Sequence, residues 1–144
     1  MSSSSGAQPP TRVVLRWAGR DLLFEGGLDG GPHITVDGDA REGPPPMALL
    51  LLSLAGCMGV DVRMILEKSR VPVDALEVDV DGWRVDAQPR RYRRIRLTYR
   101  VSGPGEDDQA KLDRAVALSS EKYCSVLHSL RPDIDVDVQV VRVY

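Results

Sequence analysis

With 144 residues, 42% of them hydrophobic, the chain is long enough to enclose one core, so a single domain over residues 11–144 is expected. Nineteen basic residues against 21 acidic ones give a net charge of −2, which excludes a cationic field as the means of gathering nucleic acid or an anionic membrane. The longest uncharged run free of proline, Met47 to Val60, falls short of the roughly 20 apolar residues a bilayer-spanning helix needs. The opening MSSSSGAQPP is small and polar, without the basic start and apolar stretch of a secretory signal, and reads as a disordered tail over residues 1–10. A cytoplasmic address is therefore expected. Three short apolar segments follow, Val13 to Trp17, Leu22 to Phe24 and His33 to Val36, and the turn-rich AGRD and EGGLDGG between them predict a meander of strands.

After DAREGPPP, Pro46 suits the first turn of a helix, and a long helix is predicted from about Pro46 to Ser69. Its first half is apolar all round, which predicts burial on every side. Leu76, Val78 and Val80 alternate with acids, and Ile95, Leu97, Tyr99 and Val101 alternate with Arg94, Arg96, Thr98 and Arg100, so both segments predict half-buried strands. Pairing them apolar on apolar places the acids opposite the arginines. Seven arginines lie between Arg84 and Arg100, but three carboxylates on the neighbouring strand largely neutralise their face, and a solvated, charge-paired face is expected rather than a nucleic-acid surface. A helix from about Leu112 to Glu121, a short one from Ser125 to Leu130 and a last strand carrying Ile134, Val136, Val138 and Val140 complete the order. The fold class is α+β with mostly antiparallel pairing. One sheet does not hide an all-apolar helix, and a dimer would.

Only two cysteines occur, Cys57 and Cys124, separated by 67 residues. In a cytoplasmic chain a thiol pair points to catalytic or redox chemistry before a structural staple, and a disulfide used only for stability is the lesser alternative. Cys57 lies about three turns into the long helix, beyond reach of the helix N-terminus, so reactivity there needs a cation or donor from elsewhere. Gly56 and Gly59 beside it point to close approach by a neighbour or a substrate; the plain alternative is a buried cysteine with glycines for packing. Cys124, at the start of the short helix, sits where backbone donors favour an acidic thiol, with Lys122 assisting and Glu121 opposing; a cysteine merely capping that helix is the alternative. Asp61, one turn past Cys57, is expected to pair with an arginine. His33 and His128 lack CxxC or HxxxH spacing, so no metal is expected, and no phosphate loop, GxSxG or dinucleotide fingerprint supports a cofactor.

PPPMALLLLSLAGCMGVDVRMILEK and SSEKYCSV closely resemble the OsmC/Ohr family, the osmotically inducible and organic hydroperoxide resistance proteins, in particular the OsmC-like branch. The resemblance covers about Thr11 to Tyr144. It implies mostly antiparallel sheets wrapped around a long buried central helix in an intertwined homodimer. It also implies a thiol-dependent peroxidase in which Cys57 attacks a hydroperoxide and becomes a sulfenic acid, Cys124 captures it as a disulfide, and a cellular dithiol reduces that bond. Arg20 best matches the family's activating arginine, with Arg41 the second candidate. Hydroperoxide-resistance members carry a glutamate ten residues before the first cysteine, where this chain has Met47, leaving Glu42 or Glu121 as substitutes. Leu50, Leu54 and Met58 would make an apolar approach suited to alkyl peroxides. The alternative is a non-catalytic dimeric protein that binds a small apolar ligand, its cysteines vestigial or redox-sensing.

Overall fold

The computed structural model of the chain describes residue 6 and residues 8–143. Most of the expected tail, residues 1–5 and 7, and Tyr144 lie outside the described residues, and residues 8–10 carry no regular structure. The chain divides into two compact units, one ending at Leu49 and the other starting at Leu50.

In the first unit, β1 (Val13–Trp17), β2 (Leu23–Leu28) and β3 (His33–Asp37) form an antiparallel meander in that order. Pairing runs Trp17 to Phe24 and Leu23 to Asp37, so β2 extends through the EGGL stretch taken from sequence as part of a turn. Gly26 and Gly27 carry it: a Cβ at Gly27 would meet the Pro32 carbonyl oxygen at 2.1 Å, so only glycine allows the strands that close together. Beyond β3 the carboxylate of Asp37 accepts the backbone N–H groups of Asp39, Glu42 and Arg41 at 2.8, 3.0 and 3.2 Å. Those donors, Glu42's foremost, hold the buried Asp37 carboxyl below the usual carboxylate range and fix the loop that leads to the long helix.

α1 (Pro46–Lys68) begins with Pro46 where a missing N–H costs nothing. Leu54, Met58, Val62 and Leu66, spaced four apart, form a fully buried stripe. Leu52, Val60 and Met64 stay exposed, Leu52 by 60%, so within one chain the helix buries a single face and not its whole surface. With its charged second half included, α1 is long and apolar enough by length and composition to cross a bilayer, at a mean hydropathy of 1.9, although its uncharged run alone is too short. A fully buried stripe at core-helix spacing is what packing against a sheet produces.

That sheet is β4 (Ala75–Arg84), β5 (Tyr92–Ser102) and β6 (Asp135–Arg142), with β5 central, antiparallel to β4 and parallel to β6. Leu76, Val78 and Val80 lie opposite Val101, Tyr99 and Leu97, and Glu77 and Asp81 lie opposite Arg100 and Arg96, the pairing parity expected from the alternation. The helix lies close to β4: a Cβ on Gly59 would touch Val78, and one on Gly82 would meet Leu51 at 3.1 Å and Tyr92 at 2.5 Å. Neutralisation of the arginines comes more from β6 than expected. Arg100 pairs with Asp79 of β4 at 2.8 Å, whereas Arg96 and Arg94 reach Asp137 and Asp135 at 3.5 and 3.9 Å, because the parallel register sets those acids beside them. Arg94 and Arg96 also stack on Trp83, 5.0 and 5.6 Å from its ring centroid.

α2 (Gln109–Leu118) buries Leu112, Ala115 and Val116 and ends sooner than the periodicity suggested. A π-helical turn, Ser119–Tyr123, takes over and closes with the Cys124 N–H donating to the Ser119 carbonyl at 2.8 Å. α3 (Ser125–Ser129) follows directly.

Candidate functional site

Four side chains in the second unit meet at one place: Cys57 and Asp61 from α1, Ser119 from the π-helical turn and Cys124 from its end. Cys57 and Asp61 are one helical turn apart and so share a face. The wider ring of the π turn, a form that recurs at functional sites, puts Ser119 and Cys124 at the two ends of one i to i+5 hydrogen bond. Ser119 is fully buried and its hydroxyl donates to Asp61 Oδ2 at 2.9 Å. Asp61 was expected to hold an arginine; its partner instead is a hydroxyl 58 residues away, an interaction that no local spacing signals.

The fold brings the two cysteines together. Both are free thiols, Cys57 half-buried and Cys124 fully buried, and Cys57 lies near enough to Cys124 to help raise its pKa. Cys124 does sit at the N-terminus of α3, and the Leu127 N–H donates to its sulfur at 3.3 Å. The expected acidic thiol does not result. Burial outweighs the donor, the adjoining Cys57 and the Asp61 charge act in the same direction as burial, and the Cys124 thiol is pushed up to about 11. Cys124 is therefore a protonated thiol at neutral pH.

One further side chain belongs here that sequence reading placed only in the core. Tyr99, on the central strand β5, is fully buried, and its hydroxyl has no hydrogen-bond partner among the described residues. It adjoins the Ser119 hydroxyl, and both sulfurs and Asp61 act on it. Burial foremost raises the phenol's pKa, so it stays neutral. The signal available in sequence was a tyrosine in an otherwise aliphatic inward row, Ile95, Leu97, Tyr99, Val101.

Beside Asp61 lies a cavity of about 480 Å³, lined also by Met64, Ile65, Leu118 and Tyr123, with Lys68 and Ser69. Neither sulfur lines it. Leu54 and Met58, expected to guide substrate, are fully buried core residues and cannot form an entrance. Gly56 has no neighbour within 4 Å of a Cβ position, so nothing within the described chain requires glycine there.

Arg20 and Glu42 pair in the first unit, Nη2 to Oε2 at 2.6 Å, with Asp21 at 3.5 Å, so Glu42 is the carboxylate that orients Arg20. Arg41 is exposed in the same loop. Glu121 is exposed on the π turn, and Lys122 lies over the Tyr123 ring, 5.3 Å from its centroid. Met47 occupies the first turn of α1. No group of three or more His, Cys, Asp or Glu side chains among the described residues is arranged to hold a metal.

A family model described as OsmC-like protein matches residues 37–139. Protein YhfA of Escherichia coli strain K12 is 36% identical over 123 residues, covering 85% of this chain and 90% of that protein. The crystal structure of a hypothetical protein from Aquifex aeolicus VF5 superposes with a TM-score of 0.81 at 31% identity, over 94% of this chain and 98% of that one. An organic hydroperoxide resistance protein OsmC from Legionella pneumophila, also described as a predicted redox protein, shares the fold with a TM-score of 0.66 at 14% identity, covering 93% of this chain and 98% of that one.

Proposed function

From the premise that the chain belongs to the OsmC-like family, we propose that it is a thiol-dependent peroxidase reducing organic hydroperoxides. The observation that carries the reading is the meeting of two free thiols 67 residues apart, one half-exposed and one buried. Cys57 is the sulfur an oxidant reaches first. Its attack on the peroxide forms a sulfenic acid and releases an alcohol, and Cys124 then closes a Cys57–Cys124 disulfide with loss of water. A cellular dithiol returns both thiols. Arg20, oriented by Glu42 in place of the family glutamate, supplies the positive charge that favours a thiolate at Cys57. The working form is a cytoplasmic homodimer, in which a second copy covers Leu52, Val60 and Met64 of α1.

A second reading is favoured by the cavity beside Asp61, whose size suits a small apolar ligand and which neither sulfur lines: a binding protein without turnover. One experiment separates the two. Free thiols are counted before and after one equivalent of cumene hydroperoxide, in the wild type and in Cys57→Ser. The peroxidase reading expects both thiols to vanish in the wild type, with stoichiometric alcohol, and Cys124 to persist in the variant. Survival of both wild-type thiols, or oxidation no faster than that of a free small-molecule thiol, overturns it.

A further inference from the structure

Two of the hydrogen-bond donors around the sulfur pair are committed. The Ser119 proton goes to Asp61, and the Leu127 N–H goes to the Cys124 sulfur. The Tyr99 hydroxyl alone is buried and unpartnered among the described residues, at the point where Cys57, Cys124, Ser119 and Asp61 all bear on it. Leaving a buried hydroxyl unpaired costs about 1–3 kcal/mol, which a phenylalanine of the same shape would avoid. Tyr99 is also held firmly, on the middle strand of the sheet between Val78 of β4 and Val140 of β6, so it cannot swing away to find water.

We propose that the Tyr99 hydroxyl is the hydrogen-bond donor to the oxygen that Cys57 carries as a sulfenic acid, and that it promotes departure of that oxygen when Cys124 closes the disulfide. The inference rests on the peroxidase reading above. In the first step the Cys57 sulfur attacks the terminal peroxide oxygen: the S–O bond forms, the O–O bond breaks, sulfur loses two electrons, and the alkoxide takes up a proton to leave as alcohol. In the second, the Cys124 sulfur attacks Cys57, the S–S bond forms and the S–O bond breaks. The leaving oxygen takes the Cys124 proton and departs as water. Tyr99 ends each cycle with its own proton, having stabilised negative charge as it developed on that oxygen. Ser119 cannot serve, because its proton faces Asp61, whose charge instead keeps the neighbouring phenol in its donor form.

Tyr99→Phe tests the assignment, with cumene hydroperoxide as oxidant and three readouts: alcohol released in the first turnover, rate of disulfide formation, and Cys57 sulfenic acid trapped by dimedone. The expected result is a first turnover changed by less than about threefold, disulfide formation slowed by about tenfold or more, and a matching rise in trapped sulfenic acid. The melting temperature should be unchanged or higher, since an unpaired buried hydroxyl has been removed. Disulfide formation at the wild-type rate with no extra trapping overturns the role of Tyr99. So does a lower melting temperature with an unchanged partition between trapping and disulfide, which is the result of a structural hydroxyl. Failure of the wild type to release alcohol or lose thiols overturns the peroxidase reading itself, a result distinct from either.

Discussion

Raising the pH should unfold this protein through Cys124. Burial holds its thiol near 11 against an ordinary 9.0, with the Leu127 N–H opposing and Cys57 and Asp61 adding to the rise. A thiol whose pKa is higher in the folded state binds its proton more tightly there, so its stabilisation is fully present below pH 9 and is lost as pH climbs through 11. The difference between 9.0 and about 11 corresponds to roughly 3 kcal/mol in full, and to about 2 kcal/mol at pH 11 itself. Tyr99, held neutral by burial in the folded state, also loses its share of stability as the pH climbs, so the quantity to measure is a difference between two proteins. Urea unfolding of the wild type and of Cys124→Ala, both kept reduced by a phosphine, should be followed at pH 7.5, 9 and 11. The wild type should lose about 2 kcal/mol more than the variant between pH 9 and 11, and equal amounts below 9. Parallel losses across the whole range would show that burial does not hold the Cys124 proton, and the protonated resolving thiol would have to be abandoned.

Arg20→Ala should slow loss of the Cys57 thiol to hydroperoxide by about tenfold or more at neutral pH, the role proposed for its guanidinium being to activate that sulfur. Glu42→Gln should act in the same direction more weakly; both are read by stopped-flow. Neither should move the melting temperature much, because a half-exposed ion pair is screened by solvent and adds little to stability. Asp61→Ala should cost about 1–3 kcal/mol in urea unfolding by stranding the buried Ser119 hydroxyl, and Asp61→Asn, which keeps an acceptor, clearly less. Leu54→Ala, in the middle of the buried stripe, should cost about 2–5 kcal/mol by the same assay, with no change in the chemistry per folded molecule.

Most of the fold could be read along the chain because its signals are local. The three prolines ending at Pro46 and the unbroken apolar run mark where α1 begins, and the odd and even alternation around Val78 and Tyr99 sets both the register and the faces of β4 and β5. The parallel placement of β6 was not legible, since its alternation shows which residues face inward but not which strand lies beside it. That choice decides which acids meet Arg94 and Arg96. The site was legible as two cysteines and illegible as an environment. A helix start is local and predicts an acidic Cys124, whereas its burial is a property of the packed core, and the core wins. The Asp61 to Ser119 bond and the open Tyr99 hydroxyl depend on a π turn, and SSEKY carries no period that distinguishes such a turn from a continuing α-helix.

On the proposed peroxidase reading, two chemically identical side chains take different tasks through their depth. A peroxide arriving from solvent meets the half-exposed Cys57 before the buried Cys124, and the latter, still protonated at neutral pH, is a poor nucleophile toward it. Protonation becomes useful once Cys57 has been oxidised, because the departing oxygen then needs a proton and the attacking sulfur must lose one. Both requirements are met within the pair, without water or a separate base. On that reading, the high pKa of the second cysteine keeps it from attacking the peroxide first, and the proton it retains is the one the departing oxygen takes.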